Sequence, residues 1–228
     1  MQKAPADFVS EADLRSEAAI REALTAAQPG ARFQAEETAQ DRVQTGPRFI
    51  IDPLDGTTNF LRAIPHFSVT LAYADDTGVI AGVVLDPIRN ELFWAERGVG
   101  AFLGERRLAV ATSEVLETAL VHTGVPHRGI ADHESFLRRL ARVMASVSGV
   151  RRMGSAALDL AYVAAGRGDA FFERGLKPWD LAAGMLLVAE AGGIVTDQQG
   201  GAVSLERGDV LAASSALHGR ILEALNGP

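Results

Sequence analysis

A single acidic stretch, IDPLDGTTNF at Ile51–Phe60, follows an apolar segment and constrains the local fold more than any other part of the sequence. The apolar segment predicts a buried strand that ends at Asp52, because Pro53 lacks an amide hydrogen and has a fixed φ. Gly56 permits a tight backbone turn. A short helix beginning at Thr57 would leave its first amide groups without partners in the helix. The stretch therefore predicts a strand, a rigid acidic turn and a helix start.

The two aspartates of this turn, Asp52 and Asp55, repel each other unless a cation or a proton lies between them. Hard carboxylate oxygens favour Mg²⁺, Mn²⁺ or Ca²⁺ over softer metals, and the free amides of a helix N-terminus favour phosphate. An Asx turn followed by a threonine cap is the simpler interpretation of a D-x-x-D-G string alone. The complete string DPLDGTTNF after an apolar strand is more specific and indicates metal-dependent phosphate chemistry.

The position of the proline excludes a motif that looks similar. In haloacid-dehalogenase phosphatases, D-x-D-G-T places a nucleophilic aspartate two residues before the second aspartate. That position is Pro53 here, and Asp52 is three residues before Asp55. The spacing disfavours a covalent aspartyl-phosphate.

Composition restricts the class of protein further. The chain has 228 residues, of which 47% are hydrophobic and 22% charged, as in a globular protein with a substantial core. Its net charge of −7 opposes binding to nucleic acid, and no apolar run approaches the roughly 20 residues needed to span a bilayer. The absence of cysteine excludes disulfides and thiolate metal sites and fits a cytoplasmic protein. The histidines lack the spacing of a zinc site.

The periodicity of apolar residues predicts helices and strands along the chain. The predicted helices lie at 13–27, 132–147, 154–166, 179–193 and 216–225, and the predicted strands at 47–52, 66–74, 78–86, 91–96, 119–124, 169–173, 193–197 and 209–215. In the second helix, the residues predicted to share an apolar face are Phe136, Leu137, Leu140, Val143, Met144 and Val147. The sequence DDTG predicts a hairpin within an antiparallel meander.

The order of these elements indicates the class of fold. A helix is followed by a strand-rich middle and then by alternating strands and helices, which is typical of a mixed α/β (α+β type) layered fold. We expect a single domain spanning 1–228, made of two closely packed halves with a loose boundary near 112–121.

A second motif, PWDLAAGMLLVAEAGGIVTD at Pro178–Asp197, joins a Trp-Asp pair, an apolar helix and a Gly-Gly turn into a strand. Together and in this order, the two motifs resemble the signatures of the inositol monophosphatase family, which are Mg²⁺-dependent, lithium-sensitive sugar phosphatases. The resemblance covers nearly the whole chain. It implies a homodimer and the layered αβαβα sandwich of the sugar-phosphatase fold, with the N-terminal helix shortened or missing.

The resemblance implies a set of metal ligands. They are Asp52, Asp55, Asp180, the main-chain carbonyl of Leu54, and Glu36 in the AEET segment. The cofactor would be two or three Mg²⁺ ions, with Mn²⁺ as a possible substitute. Taken alone, Glu36 and Glu37 favour an acidic pair in solvent. Ala35 stands where the family has glycine, a departure expected to shift the loop that carries Glu36 and to alter metal affinity.

The resemblance also implies catalytic and substrate-binding residues. Thr57 and Asp13, with Glu36, would orient the attacking water, and Asp13 alone also fits a helix N-cap. Substrate contacts would come from Asp55, Gly56, Thr57, Thr58, Gly154, Ser155, Ala156, Glu173 and Asp180. Glu173 would bond a substrate hydroxyl, and without the resemblance it fits an exposed charge at a strand end equally well.

The activity implied is Mg²⁺-dependent hydrolysis of a small phosphate monoester, with inositol 1-phosphate (myo-inositol monophosphate) as the substrate. Two alternatives are open. The same chemistry could serve fructose 1,6-bisphosphate, histidinol phosphate or a 3′-phosphonucleotide. A non-catalytic member that binds metal or phosphate is the other alternative, and Mg²⁺ binding without turnover would distinguish it.

Overall fold

A computed structural model of the chain describes residues 10–38, 45–126 and 133–227, together with the backbone of 2–4 and 7–8. Its helices are α1 (Glu11–Ala27), α2 (Thr57–Leu61), α3 (His133–Ser146), α4 (Ala156–Ala164), α5 (Pro178–Glu190) and α6 (His218–Asn226), with a 3₁₀ turn at Leu116–Thr118. Its strands are β1 (Gln2–Ala4), β2 (Asp7–Phe8), β3 (Phe33–Ala35), β4 (Arg48–Asp55), β5 (Ser68–Asp75), β6 (Gly78–Asp86), β7 (Glu91–Glu96), β8 (Gly100–Leu103), β9 (Arg106–Arg107), β10 (Leu120–Thr123), β11 (Gly149–Arg151), β12 (Ala170–Glu173), β13 (Ile194–Thr196) and β14 (Val210–Ala213). Each predicted helix and strand is present, with small differences at its ends.

Apart from the small pair formed by β1 and β2, the described strands form two larger sheets, which are the layers between the helices. One has seven strands in the order β3-β4-β5-β6-β7-β8-β9, in which β3 and β4 are parallel and the other neighbours are antiparallel. The other has five strands in the order β11-β10-β12-β14-β13, and β10 is parallel to both of its neighbours. Because β10 and β12 are parallel, the residues that follow them emerge at the same edge of the sheet.

Side chains that alternate along the strands assign the helices to separate layers. In β4, Ile50 belongs to the central core with α4 and α5, whereas Ile51 packs with α1 on the opposite face. In β12, Phe171 belongs to the same central core, and Phe172 packs with α3 and α6 beyond the second sheet. The layers are therefore α1, the first sheet, α4 with α5, the second sheet, and α3 with α6, which confirms the expected αβαβα sandwich.

The central helices α4 and α5 are apolar on nearly every side because a sheet covers each face of their layer. All nine residues of α4 are buried. Small residues bring the two helices together: an added Cβ on Gly184 of α5 would lie 2.6 Å from the Cβ of Leu160 in α4. No helix within the described ranges combines the length and the apolar character needed to cross a membrane.

The predicted end of the acidic strand at Asp52 is wrong, because β4 continues to Asp55. Its pairing with β5 shifts register between the two aspartates, so that Asp52 lies opposite Thr70 and Asp55 opposite Ser68. Pro53 lies in this irregular part, where a strand tolerates a residue without an amide donor. Residues three apart in a regular strand point to opposite faces. The extra residue of the bulge allows both carboxylates to reach one site.

The predicted apolar face of α3 is correct in part. The residues that pack with α6 and the second sheet are Phe136, Leu140, Val143 and Val147. The prediction is wrong for Leu137 and Met144, whose side chains are 58% and 59% exposed. The contact with α6 follows a single stripe at a spacing of three and four residues, so apolar residues one position away lie at its margin.

Gly82 of β6 lies directly against α5, and an added Cβ would lie 2.8 Å from Cα and 3.1 Å from Cβ of Ala183. We expect Gly82→Ala to lower the free energy of unfolding by about 1–3 kcal/mol, because it overpacks the core. Gly219→Ala in α6 is the control, since an added Cβ there meets no atom within 4 Å and alanine favours a helix. Urea unfolding measures both variants. A Gly82→Ala protein as stable as wild type would contradict the close contact.

Candidate active site

The acidic turn is held in place by a left-handed glycine and by α2. Gly56 precedes α2 with φ = 96°, a conformation that favours glycine. An added Cβ on Gly56 would also lie 3.1 Å from the carbonyl oxygen of Gly154. Asn59 of α2 donates hydrogen bonds to the carbonyls of His66 (2.7 Å) and Met153 (2.9 Å). These contacts tie the turn to the loop before α4.

Three aspartates from two elements form a compact carboxylate cluster. Asp52, Asp55 and Asp180 each place an oxygen within 4.8 Å of the others. Asp52 and Asp55 are only 1% and 9% exposed. Asp180 is in the first turn of α5, where its carboxylate accepts a hydrogen bond from the Lys177 amide at 2.7 Å. The fold thus brings the acidic turn and the Trp-Asp motif together.

Asp55 is anchored by the start of α4. Its Oδ2 accepts hydrogen bonds from the Ser155 hydroxyl (2.5 Å), the Ala157 amide (2.9 Å) and the Ser68 hydroxyl (3.4 Å). Ser155 also caps α4 by accepting from the Leu158 amide at 3.4 Å. The sequence analysis placed Ser155 on the substrate side only. Its bond to Asp55 joins residues 100 positions apart and has no local signal in the sequence.

Glu36 lies next to this cluster because β3 pairs with β4. Its amide donates to the carbonyl of Ile51 at 3.3 Å. Burial, together with the charges of Glu36 and Asp55, raises the pKa of Asp52 well above its ordinary value. Burial and the charge of Asp55 raise the pKa of Asp180 to about 8. The carboxylates therefore resist simultaneous ionisation unless a cation neutralises them.

The donor set fits a hard divalent cation, since carboxylate and carbonyl oxygens are the ligands that Mg²⁺ and Ca²⁺ prefer. The carbonyl of Leu54, the predicted backbone ligand, accepts a hydrogen bond from the Thr57 hydroxyl at 3.1 Å. The Leu54 amide donates to Asp52 Oδ1 at 2.9 Å. The carboxylates belong to β4 and α5, which the core fixes, so their oxygens converge on one site.

Thr57 begins α2, which confirms the predicted helix start. Its hydroxyl lies 3.1 Å from Oδ1 of Asp13, a fully buried residue of α1. The other oxygen of Asp13 accepts a hydrogen bond from the Ser10 amide at 2.8 Å. Ser10 is the N-cap of α1, so the N-cap interpretation of Asp13 is wrong. Asp13 instead completes the capping box from inside the helix while it contacts Thr57.

A cavity of about 150 Å³ adjoins the carboxylate cluster. Six residues predicted for the site line it: Asp55, Gly154, Ser155, Ala156, Glu173 and Asp180. Gly56, Thr57 and Thr58 lie on the adjoining turn, where Thr58 is exposed. The wall also contains four residues that the sequence analysis missed, namely Gly124, Arg152, Asp159 and Leu176.

Glu173 contributes to the cavity wall from the end of β12. Gly124 follows the parallel strand β10, and an added Cβ there would overlap the carboxyl group of Glu173. Burial and the charges of Asp180 and Asp159 raise the pKa of Glu173 to about 8. The interpretation of Glu173 as an exposed strand-end charge is therefore wrong.

Asp159 and His122 form a buried pair at the same wall. Nδ1 of His122 lies 2.8 Å from Oδ1 of Asp159, and each residue is 2% exposed. Burial raises the pKa of Asp159 to about 6, and the hydrogen bond with His122 opposes that shift. Asp159 lies one turn after Ser155 in α4. That spacing, which places both on one side of the helix, is the signal that could have identified it.

The raised pKa values give the metal-free protein an unusual dependence of stability on pH. Glu173 and Asp180 have pKa values of about 8 when folded, whereas ordinary carboxyl groups have pKa values of about 4. The folded state therefore binds more protons between these values, and we expect the free energy of unfolding to fall as pH rises towards about 8 and to level off above it. Thermal unfolding in EDTA from about pH 7 to about pH 9 measures this. Histidine should contribute little over this pH range. In the unfolded chain its pKa of about 6.5 lies below the range, and in the folded protein burial lowers the pKa of His66 and His218.

Mg²⁺ is expected to reverse the slope, because a cation binds ionised carboxylates and stabilises the folded state more as protons leave. Asp180→Asn is the control for the metal-free measurement and should flatten the decline, since it removes one of the groups whose pKa is raised to about 8. A metal-free unfolding temperature that rises with pH over the same range would contradict the assignment.

Comparison with known proteins identifies the family. A sequence model of the inositol monophosphatase family matches residues 2–227. The inositol-1-monophosphatase of Rhizobium meliloti (strain 1021) is 48% identical over 227 residues, which cover 99% of this chain and 85% of the relative. The Nus factor SuhB of Escherichia coli (strain K12) is 42% identical over 214 residues, which cover 93% of this chain and 80% of the relative. The crystal structure of the extragenic suppressor protein suhB from Bartonella henselae matches with a TM-score of 0.95 at 46% identity, over 100% of this chain and 88% of that one. The chain belongs to the inositol monophosphatase family.

Proposed function

We propose that this protein is a metal-dependent phosphoric monoester hydrolase that acts on inositol monophosphate. The observation that carries the proposal is the convergence of Asp52, Asp55 and Asp180 beside a polar cavity, with the Thr57–Asp13 pair next to them. Hard oxygen ligands near groups that can orient water suit hydrolysis of a phosphate ester. Membership of the family and relatives named inositol-1-monophosphatase support inositol monophosphate as the substrate.

The phosphate group would bind at the turn between β4 and α2. The first amides of α2 have no partner within the helix and can donate to phosphate oxygens. Two or three Mg²⁺ ions, or Mn²⁺ in their place, would be held by Asp52, Asp55, Asp180, Glu36 and the carbonyl of Leu54. When bound, the metal supplies positive charge to the phosphate oxygens and lowers the pKa of a coordinated water.

Thr57 and Asp13 position the attacking water in this proposal, with Glu36 beside them. The Thr57 hydroxyl has one proton, which it donates to Oδ1 of Asp13 or to the carbonyl of Leu54, each at 3.1 Å. Its lone pairs are then left to accept a hydrogen bond from the water. The water oxygen forms the new bond to phosphorus, the bond to the ester oxygen breaks, and the alcohol leaves with a proton.

Direct attack by water fixes the stereochemistry at phosphorus. We expect hydrolysis of an ester made chiral at phosphorus with oxygen isotopes to invert its configuration, because one in-line displacement inverts it, whereas two displacements through an aspartyl phosphate would retain it. Stereochemical analysis of the released phosphate measures this. Recovery of an acyl phosphate on Asp52 or Asp55 after rapid quenching would contradict direct attack.

Phosphate release from a panel of inositol, sugar, histidinol and nucleotide monophosphates tests the activity itself. We expect release from inositol monophosphate only with Mg²⁺ or Mn²⁺. Asp52→Asn is expected to lower kcat at least about a hundredfold, since a metal ligand is lost. Asp86→Asn is the matched control, because that carboxylate is fully buried but bonds the Ile88 amide and Arg89 rather than lining the cavity.

Other results of this panel would separate the alternatives. A strong preference for fructose 1,6-bisphosphate, histidinol phosphate or a 3′-phosphonucleotide would keep the chemistry and change the substrate. Mg²⁺ binding without release from any ester would support a non-catalytic role. The 42% identity to a relative named Nus factor SuhB is the observation that favours this second candidate.

We also infer from the family a cytoplasmic homodimer that Li⁺ inhibits, built from a single domain of two packed halves. The boundary between the halves would lie near 112–121, where the chain passes from the seven-stranded sheet to the five-stranded one. Light scattering of the purified protein tests the homodimer, and titration of its activity with Li⁺ tests the inhibition.

A further inference from the structure

The pair formed by His122 and Asp159 has a role that the phosphate chemistry does not account for. His122 lies in β10 and Asp159 in α4, and their bond of 2.8 Å crosses from the second sheet to the central helices. Both side chains are 2% exposed. Asp159 nevertheless forms part of the cavity wall, together with Glu173 and Arg152. The pair is therefore buried except where Asp159 borders the cavity.

The surroundings of His122 determine which ring nitrogen carries the proton. Nε2 is buried and has no hydrogen-bond partner among the described residues. It faces Gly168, since an added Cβ on that glycine would lie 2.5 Å from it. A proton on Nε2 would be a buried donor without an acceptor, which costs more than a bare lone pair. The favoured tautomer carries its proton on Nδ1 and donates it to Asp159.

This hydrogen bond fixes the orientation of the Asp159 carboxylate. An ionised carboxylate accepts hydrogen bonds only, and it has about four lone-pair positions, of which His122 uses one. Two residues further along the chain, Gly124 leaves the space that the carboxyl group of Glu173 occupies. The end of β10 thus places two carboxyl groups, those of Asp159 and Glu173, on the same wall.

We propose that Asp159, oriented by His122, accepts hydrogen bonds from hydroxyl groups of the leaving alcohol and so selects polyhydroxylated esters. The inference rests on the proposed function, and it adds a specificity residue and a positioning residue to that site. A polyol supplies hydroxyl donors to this wall. An aryl group supplies none and would leave a carboxylate desolvated without a partner, which is the stronger basis for discrimination.

Stability alone is a poor explanation for the pair. A buried carboxylate that is bonded to a neutral imidazole contributes little to stability relative to apolar residues of the same volume, because the cost of desolvating the charge offsets the hydrogen bond. Asp159 instead borders the cavity, where its carboxylate can meet a polar ligand.

The test compares two esters that share a phosphate and differ in the alcohol. We expect Asp159→Asn to lower kcat/KM for inositol 1-phosphate by about tenfold to a hundredfold, the effect of losing a charged acceptor. The loss should lie mainly in KM. The same variant should leave kcat/KM for phenyl phosphate unchanged or raise it. Equal losses on both esters would overturn the proposal, because they would indicate a merely structural residue.

His122 is tested through variants that keep or remove the donor. The side-chain amide introduced by His122→Asn can donate to Asp159 much as Nδ1 does, so this variant should retain the preference for inositol 1-phosphate. His122→Leu removes the donor and should lose it. Asp86→Asn controls for a general loss of stability, since Asp86 is fully buried away from the cavity wall. A preference that survives in His122→Leu would overturn the positioning role.

A binding measurement separates this inference from the proposed function. Calorimetry of myo-inositol with inorganic phosphate and Mg²⁺ present needs no turnover, and we expect Asp159→Asn to weaken binding by a similar factor. If no ester is hydrolysed but inositol binds in an Asp159-dependent way, the inference stands and the hydrolase proposal fails. Inositol that binds wild type and variant equally, or binds neither, would overturn the inference.

Discussion

The hydrogen bonds that Asp55 accepts from the N-terminus of α4 hold the site together. Asp55 belongs to the first sheet, and Ser155 and the Ala157 amide belong to the central helical layer. A carboxylate at a helix N-terminus is favoured both by the free amides and by the helix dipole. Because the bond is made at the junction of two layers, the cavity beside it exists only when both layers are packed.

Electrostatic repulsion within the cluster favours the binding of a cation. Burial raises the pKa of Asp52, Asp55 and Asp180, and neighbouring charges add to the shift at Asp52 and Asp180. The fold holds these groups close through apolar layers whose packing does not depend on charge. A bound cation relieves the repulsion that remains between the carboxylates, and this relief contributes to its binding free energy. In the proposed enzyme, the affinity for metal is thus built into the folded state rather than into a flexible loop.

Local patterns in the sequence predicted the features that depend on residues close together in the chain. The acid turn, the start of α2 and the layered fold followed from proline, glycine and the spacing of apolar side chains. The strand end at Asp52 was wrong because a bulge depends on the partner strand, here β5. Asp159 and His122 are 37 residues apart, and each looks ordinary in its own element. A contact between such distant residues forms only when the fold brings a strand of the second sheet and a central helix together.

The residues of the site are divided between two layers, and this division determines which substitutions could change the substrate preference. In the proposed enzyme the water-orienting and metal-binding residues come mostly from α1, β4 and the start of α2. The wall that faces the alcohol comes from β10, α4 and β12, whose side chains meet at the edge of the second sheet. A substitution at the end of β10 can alter the hydrogen bonds offered to the alcohol without touching the acidic turn. In the proposed enzyme, chemistry and substrate choice are therefore separable, and Asp159 lies on the wall that would select the alcohol.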